Sequence, residues 1–160
     1  QCNTANRRRM EGFLDGCREY GITLTEQWVK TFFPDWDSET NPSHFLFMRE
    51  AIREILTAPE RPEVMVLSYL HAAGEFIEVI DELGLKIPQD ISAITFSGSS
   101  NPLSLIHHEQ VYKLSMYQYD EHLLATGGIE LLHNWLLDPT FRPKTHLIPF
   151  EFHSCNSLLK

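Results

Sequence analysis

Positive charge is scarce in this sequence: 13 Lys and Arg stand against 22 Asp and Glu, a formal net charge of −9. A surface that grips phosphates needs clustered cations. The only basic cluster is Arg7-Arg8-Arg9, so direct DNA contact by this chain is not expected. Cysteine is scarce too. Cys2, Cys17 and Cys155 are odd in number and widely spaced, which argues against a disulfide framework and for a reducing, cytoplasmic setting. No apolar run approaches the length of a membrane span. The first residues, Gln1 to Asn6, are polar and lead into a basic run, without the apolar core of a signal peptide. The missing start Met leads us to expect an upstream segment. Gly and Pro are scattered, with no low-complexity block and no internal repeat. At 160 residues, 42% hydrophobic and 22% charged, what remains is one soluble globular domain or a large piece of one.

Patterns that carry chemistry are also missing. His107-His108-Glu109 offers ligand types, but adjacent residues diverge on a helix and alternate on a strand, so they rarely chelate one ion. A solvated loop is the expected state. Ser97-Gly98-Ser99-Ser100 follows a strand pattern, where α/β sheets place ligand loops. It lacks the Gly-Lys-Ser/Thr of a phosphate loop and the Gly-x-Ser-x-Gly of a nucleophile elbow. From composition it is either a flexible turn or a ligand loop. Cys155 has no evident base partner. Neither an enzyme nor a cofactor is expected.

What the chain does have is alternating helical and strand patterning. Met10, Phe13, Leu14 and Cys17 form one helical face, stopped at Gly21. Residues 27–33 are rich in β-formers and end at Pro34, so a strand is expected there. A polar loop, Asp35 to Pro42, leads to Ser43, a candidate cap for a helix with Met48, Ile52, Ile55 and Leu56 inward. Residues 64–68 read as a strand buried on both faces. Ala73, Phe76, Ile77 and Ile80 mark the next helix, closed by Gly84, and residues 91–96 the next strand. Strand, helix, strand, helix, strand from residue 27 implies a parallel sheet flanked by helices. Beyond residue 113 the pattern is expected to change partner. Residues 113–119 read as a strand and 145–152 as a last extended segment. Between them lies a helix marked by Leu124, Leu131, Leu132 and Trp135, with Gly127 and Gly128 suggesting close backbone packing.

Two polar or aromatic features invite a ligand reading. Arg7-Arg8-Arg9 opens a helix, where cations oppose the macrodipole. It is either a solvated charge run or holds a residue that meets an anion or polar ligand. Trp36, in the polar loop, either stacks on a ligand ring or clamps the surface.

Three stretches together resemble the lactose-repressor (LacI/GalR) family of bacterial transcription regulators. Arg9-Met10-Glu11-Gly12-Phe13 is similar to the family's Arg-Leu-x-Gly-Phe. Asp81-Glu82-Leu83-Gly84-Leu85-Lys86-Ile87-Pro88-Gln89-Asp90-Ile91-Ser92 is similar to its Gly-Leu-x-Val-Pro-x-Asp-Ile-Ser. Leu114-Ser115-Met116-Tyr117-Gln118-Tyr119-Asp120 is similar to its Leu-Thr-Thr-Ile-x-Gln-x. The ending Leu147 to Phe152 also fits.

The resemblance implies an α/β, periplasmic-binding-protein-like fold, present as an incomplete fragment that is mainly the C-terminal subdomain. Residues 1–115 would be that effector-binding subdomain, 116–146 a strand–helix excursion into the N-terminal subdomain, and 147–160 the return. It implies a cytoplasmic homodimer with no membrane partner. A small-molecule effector, sugar or sugar derivative, would bind in the cleft, and DNA would be met only through a missing N-terminal domain. A solute-binding protein of a transporter shares the fold and is the alternative. Arg9 matches the family's effector-contacting Arg. Trp36 is the expected stacking partner, and Tyr69 and Ser97 are expected to line the wall. Ser97 stands where the family carries an effector-binding Asp, Tyr69-Leu70 where it has Asn-Asp or Gly-Asp, and Cys155 where it has Arg. Losing the Asp removes an anionic acceptor, from which an acidic or phosphorylated sugar is expected.

Overall fold

The computed structural model describes residues 4–30, 42–98, 111, 113–138, 140–142 and 147–159. Four strands form one sheet: β1 (Val64–Leu67), β2 (Ser92–Gly98), β3 (Ser115–Tyr119) and β4 (Phe150–His153), in that spatial order. The first three run parallel, and β4 closes the sheet antiparallel to β3. Four helices accompany them: α1 (Thr4–Glu19), α2 (Pro42–Thr57), α3 (Leu70–Leu83) and α4 (Glu121–Leu137). Among the described residues, no helix is long and apolar enough to cross a membrane.

The core follows from two apolar stripes meeting one sheet face. Met48, Ile52 and Leu56 of α2 pack with Ala73, Phe76, Ile77 and Ile80 of α3 against Leu67 and Ala93. Each large side chain so buried contributes roughly 1.5–3 kcal/mol. The same two helices are tied outside the core. Arg49 of α2 reaches Glu75 at 2.8 Å and also bonds Glu78, while Arg53 pairs with Glu82. Gly84 ends α3 in the left-handed region at φ 65°, where glycine carries no Cβ penalty, and Leu85 N–H closes back on the Ile80 carbonyl at 3.0 Å. Gly21 ends the first helical run in the same way at φ 68°.

Alternation along β2 puts Ala93, Thr95 and Ser97 on the face covered by α2 and α3, and Ile94 and Phe96 on the other. Paired in register with them, Tyr117, Tyr119, Phe150 and Phe152 share the Phe96 face. These rings pack together, Phe96–Tyr117 stacked at 5.8 Å and Phe96–Phe150 edge-on at 6.1 Å.

Several expectations change. Residues 26–28 form a 3-10 turn, Trp28 N–H bonding the Thr25 carbonyl at 3.0 Å. A local turn satisfies backbone groups for which a strand at 27–33 would need a neighbour; residues 31–33 lie outside the described residues. Helix α2 begins at Pro42, so Ser43 falls inside its first turn instead of capping it. Proline suits that position because its missing N–H would have no helical partner. No change of partner occurs at residue 113. β3 stays hydrogen-bonded to β2 as far as Gly98↔Tyr119, because its apolar positions continue the same sheet face.

The chain leaves the sheet at α4. Asp120 caps this helix, its carboxylate accepting from the N–H groups of His122 and Leu123 at 2.8 and 3.1 Å. None of its residues is buried. Leu123, Leu124, Ile129, Leu132, Trp135, Leu136 and Leu137 are exposed. A Cβ at Gly128 would meet nothing within 4 Å, so close packing within the described residues does not explain this glycine.

The segment after β4 returns to the sheet. The Ser157 hydroxyl donates to the Ala93 carbonyl and accepts from Ser115 N–H, both at 2.7 Å. The Ser157 carbonyl accepts from Ala93 N–H at 2.9 Å. The tail thus bridges β2 and β3 just below the start of their own ladder at Ile94↔Ser115.

Candidate functional site

The arginine run sits in the first two turns of α1, which begins at Thr4. Arg7 and Arg8 point outward and pair with Glu11 at 3.7 and 3.8 Å. Arg9 turns inward. Its Nη1 donates to the Ser68 carbonyl at 2.9 Å, and its guanidinium lies over the Phe96 ring, 5.9 Å from the centroid. As the sixth residue of the helix, Arg9 lies beyond the first turn, where the macrodipole acts. The cation at Arg9 is therefore not disfavoured by the helix start, contrary to expectation. Its setting is decided by the carbonyl and the aromatic face.

Ser68 follows β1 and Phe96 lies near the end of β2, so Arg9 marks the C-terminal edge of the parallel strands. Ligands of open α/β sheets bind at that edge. Among the described residues, Arg9 meets no carboxylate, unlike Arg7 and Arg8. A half-buried cation held by one carbonyl and one ring keeps donors for an incoming acceptor.

Tyr69 extends from the same loop, as the residue before α3, and packs its ring against the apolar core. Its hydroxyl is buried and has no partner among the described residues. Burial pushes its pKa up to about 12, because the phenolate would be poorly solvated. Ser97 is buried, and its hydroxyl donates to the Gly98 carbonyl at 2.8 Å. Ser97 shares the Thr95 face of β2, opposite Phe96 and Arg9. The structure therefore places Arg9 on one side of the strand ends and Tyr69 and Ser97 on the other. Trp36 and the His107-His108-Glu109 run lie outside the described residues.

Two contributors escaped the sequence reading. Phe96 is legible as an inward strand residue but not as the ring under Arg9. Glu121, the first residue of α4, lays its carboxylate against Gly98, where a Cβ would collide with it. No local signal joins residues 98 and 121; the β2–β3 register does.

Residues 1–154 match the model of the periplasmic binding protein-like domain, and the chain belongs to that family. Within it, the chain is similar to regulators of the LacI/GalR type. It is 36% identical over 93 residues to the HTH-type transcriptional repressor PurR of Yersinia enterocolitica, covering 58% of this chain and 25% of that protein. The PurR repressor of Photorhabdus laumondii is 32% identical over the same share of each. The chain thus spans about a quarter of the length of these relatives. Among solved structures, a transcriptional regulator CelR–cellobiose complex aligns with TM-score 0.69 at 16% identity, over 93% of this chain and 41% of that one. A LacI family regulator of Lactobacillus casei with bound glucose aligns with TM-score 0.63 at 12% identity, over 95% and 50%. At these identities the structures speak to the fold.

Proposed function

We propose that this chain is the ligand-sensing part of a bacterial transcription regulator. A small sugar-like effector sits across the C-terminal ends of β1, β2 and β3, and its binding modulates a DNA-reading domain outside this chain. The observation that carries the reading is Arg9: a half-buried guanidinium fixed on the Ser68 carbonyl and the Phe96 ring, at the sheet edge where this fold class takes ligands. Helix α4, with its exposed apolar side chains, is the excursion toward the N-terminal subdomain. In a cytoplasmic homodimer, effector binding changes the angle between subdomains and hence the spacing of two DNA-reading heads.

Calorimetric titration of the full-length gene product with glucose and cellobiose tests this reading. Removing a charged hydrogen-bond partner costs about 1.5–3 kcal/mol, tenfold or more in affinity. Arg9→Ala should show that loss in a variant that still melts cooperatively. Unchanged affinity in a folded variant would remove Arg9 from the site. The upstream sequence separates the regulator from a secreted solute receptor: a helix-turn-helix supports the first, a signal peptide the second.

A further inference from the structure

The family pattern places an acid at residue 97, and the serine found there suggested a wall without a carboxylate. The fold supplies one from elsewhere. Glu121 leans over Gly98, so closely that a Cβ on that glycine would overlap its carboxylate; the same Cβ would lie 3.2 Å from the Tyr119 ring. Gly98 and Phe96 are two apart on β2 and project toward the same sheet face. Arg9 lies over Phe96 on that face. Arg9 and Glu121 therefore meet strand positions two residues apart, about 7 Å along the strand axis.

We propose that Glu121 is the acceptor carboxylate of this wall and selects the charge class of the effector. The proposal rests on the sugar-like reading above and narrows it. Arg9 donates to a ring or hydroxyl oxygen, and Glu121 accepts from hydroxyls or an ammonium group through charge-assisted bonds. The effector is then a polyhydroxylated molecule, neutral or amine-bearing. An acidic or phosphorylated sugar would bring like charge against Glu121 in a partly desolvated site, which is unfavourable. This replaces the expectation drawn from Ser97 alone. The small residue at 98 has a physical reason in the same contact, since it leaves the space that the carboxylate occupies.

The test is a calorimetric titration of the full-length gene product with glucosamine, glucose, gluconate and glucose 6-phosphate. The wild type should bind glucosamine or glucose at least tenfold more tightly than either anion. Glu121→Gln should narrow that ratio about tenfold. Gly98→Ala, which displaces the carboxylate without removing it, should move the ratio in the same direction. Glu121 is half-buried at the start of α4, and thermal melts of both variants report whether they fold. An unchanged ratio in folded Glu121→Gln would overturn the assignment while leaving the sugar-like reading intact. Tighter wild-type binding of gluconate or glucose 6-phosphate would overturn the charge class. Failure of the wild type to bind any of the four would overturn both.

Discussion

Replacing Ser157 by Ala should destabilise this protein far more than its position near the chain end suggests. The hydroxyl donates to the Ala93 carbonyl and accepts from Ser115 N–H, both at 2.7 Å. Ala93 and Ser115 have no measurable exposure and Ser157 only 1%, so water does not reach the groups left behind. The alanine strands one buried donor and one buried acceptor. At roughly 1–3 kcal/mol for each unsatisfied group, partly relieved by local adjustment, the cost is about 3 kcal/mol. That is a large fraction of the roughly 5–15 kcal/mol that holds a typical domain together. Urea unfolding followed by circular dichroism measures it as a lower midpoint at constant slope. Ser92→Ala is the comparison, because it removes a single bond from Leu159 N–H, at 3.1 Å, at the exposed end of the tail. It should cost about 1 kcal/mol. A Ser157→Ala protein within about 0.5 kcal/mol of wild type would refute the idea that the tail latches β2 to β3.

Three other outcomes follow from the same structure. Arg49→Ala removes from the α2–α3 seam the cation shared by Glu75, Glu78 and Glu82, three like charges along one face of α3, and should cost about 2 kcal/mol, partly recovered by salt; a salt-independent urea midpoint equal to wild type would contradict this. Tyr69→Phe removes a buried hydroxyl that has no partner among the described residues and should be neutral or stabilising by up to about 1 kcal/mol at pH 7. With its folded pKa raised from 10.0 to about 12, wild-type Tyr69 keeps a proton that the unfolded chain has released, so stability falls as pH rises from 10 toward 12. The Phe variant should lack that component, and parallel alkaline melts of the two proteins would disprove it. The isolated chain should self-associate through α4, where Trp135, Leu136 and Leu137 are 56, 75 and 71% exposed; Leu136→Glu should weaken this, and light scattering that finds a clean wild-type monomer at high concentration would count against it.

Periodicity alone determined which residues are buried in α2 and α3, because a 3.6-residue repeat aligns Met48, Ile52 and Leu56, and likewise Ala73, Phe76 and Ile80, on single faces. Gly84 announced a helix end by local logic, being free of a Cβ, whereas the cap that Asp120 gives α4, its carboxylate meeting bare N–H groups, was not read from the sequence. Arg9 stood out through its motif, and the Ser68 carbonyl and the Phe96 ring, not the helix dipole, position it. Tertiary structure decided the rest. Strand pairing joins residues remote in sequence, so only the β2–β3 register could show that β3 stays in the sheet beyond residue 113 and that Glu121 meets Gly98. Residues 26–28 became a turn because a strand is defined by its neighbour, and no pattern within residues 27–33 could supply one. The same limit hid the site's balance of charge: the acid absent at 97 is lost in the sequence, and a carboxylate is regained from the first turn of a helix 24 positions later.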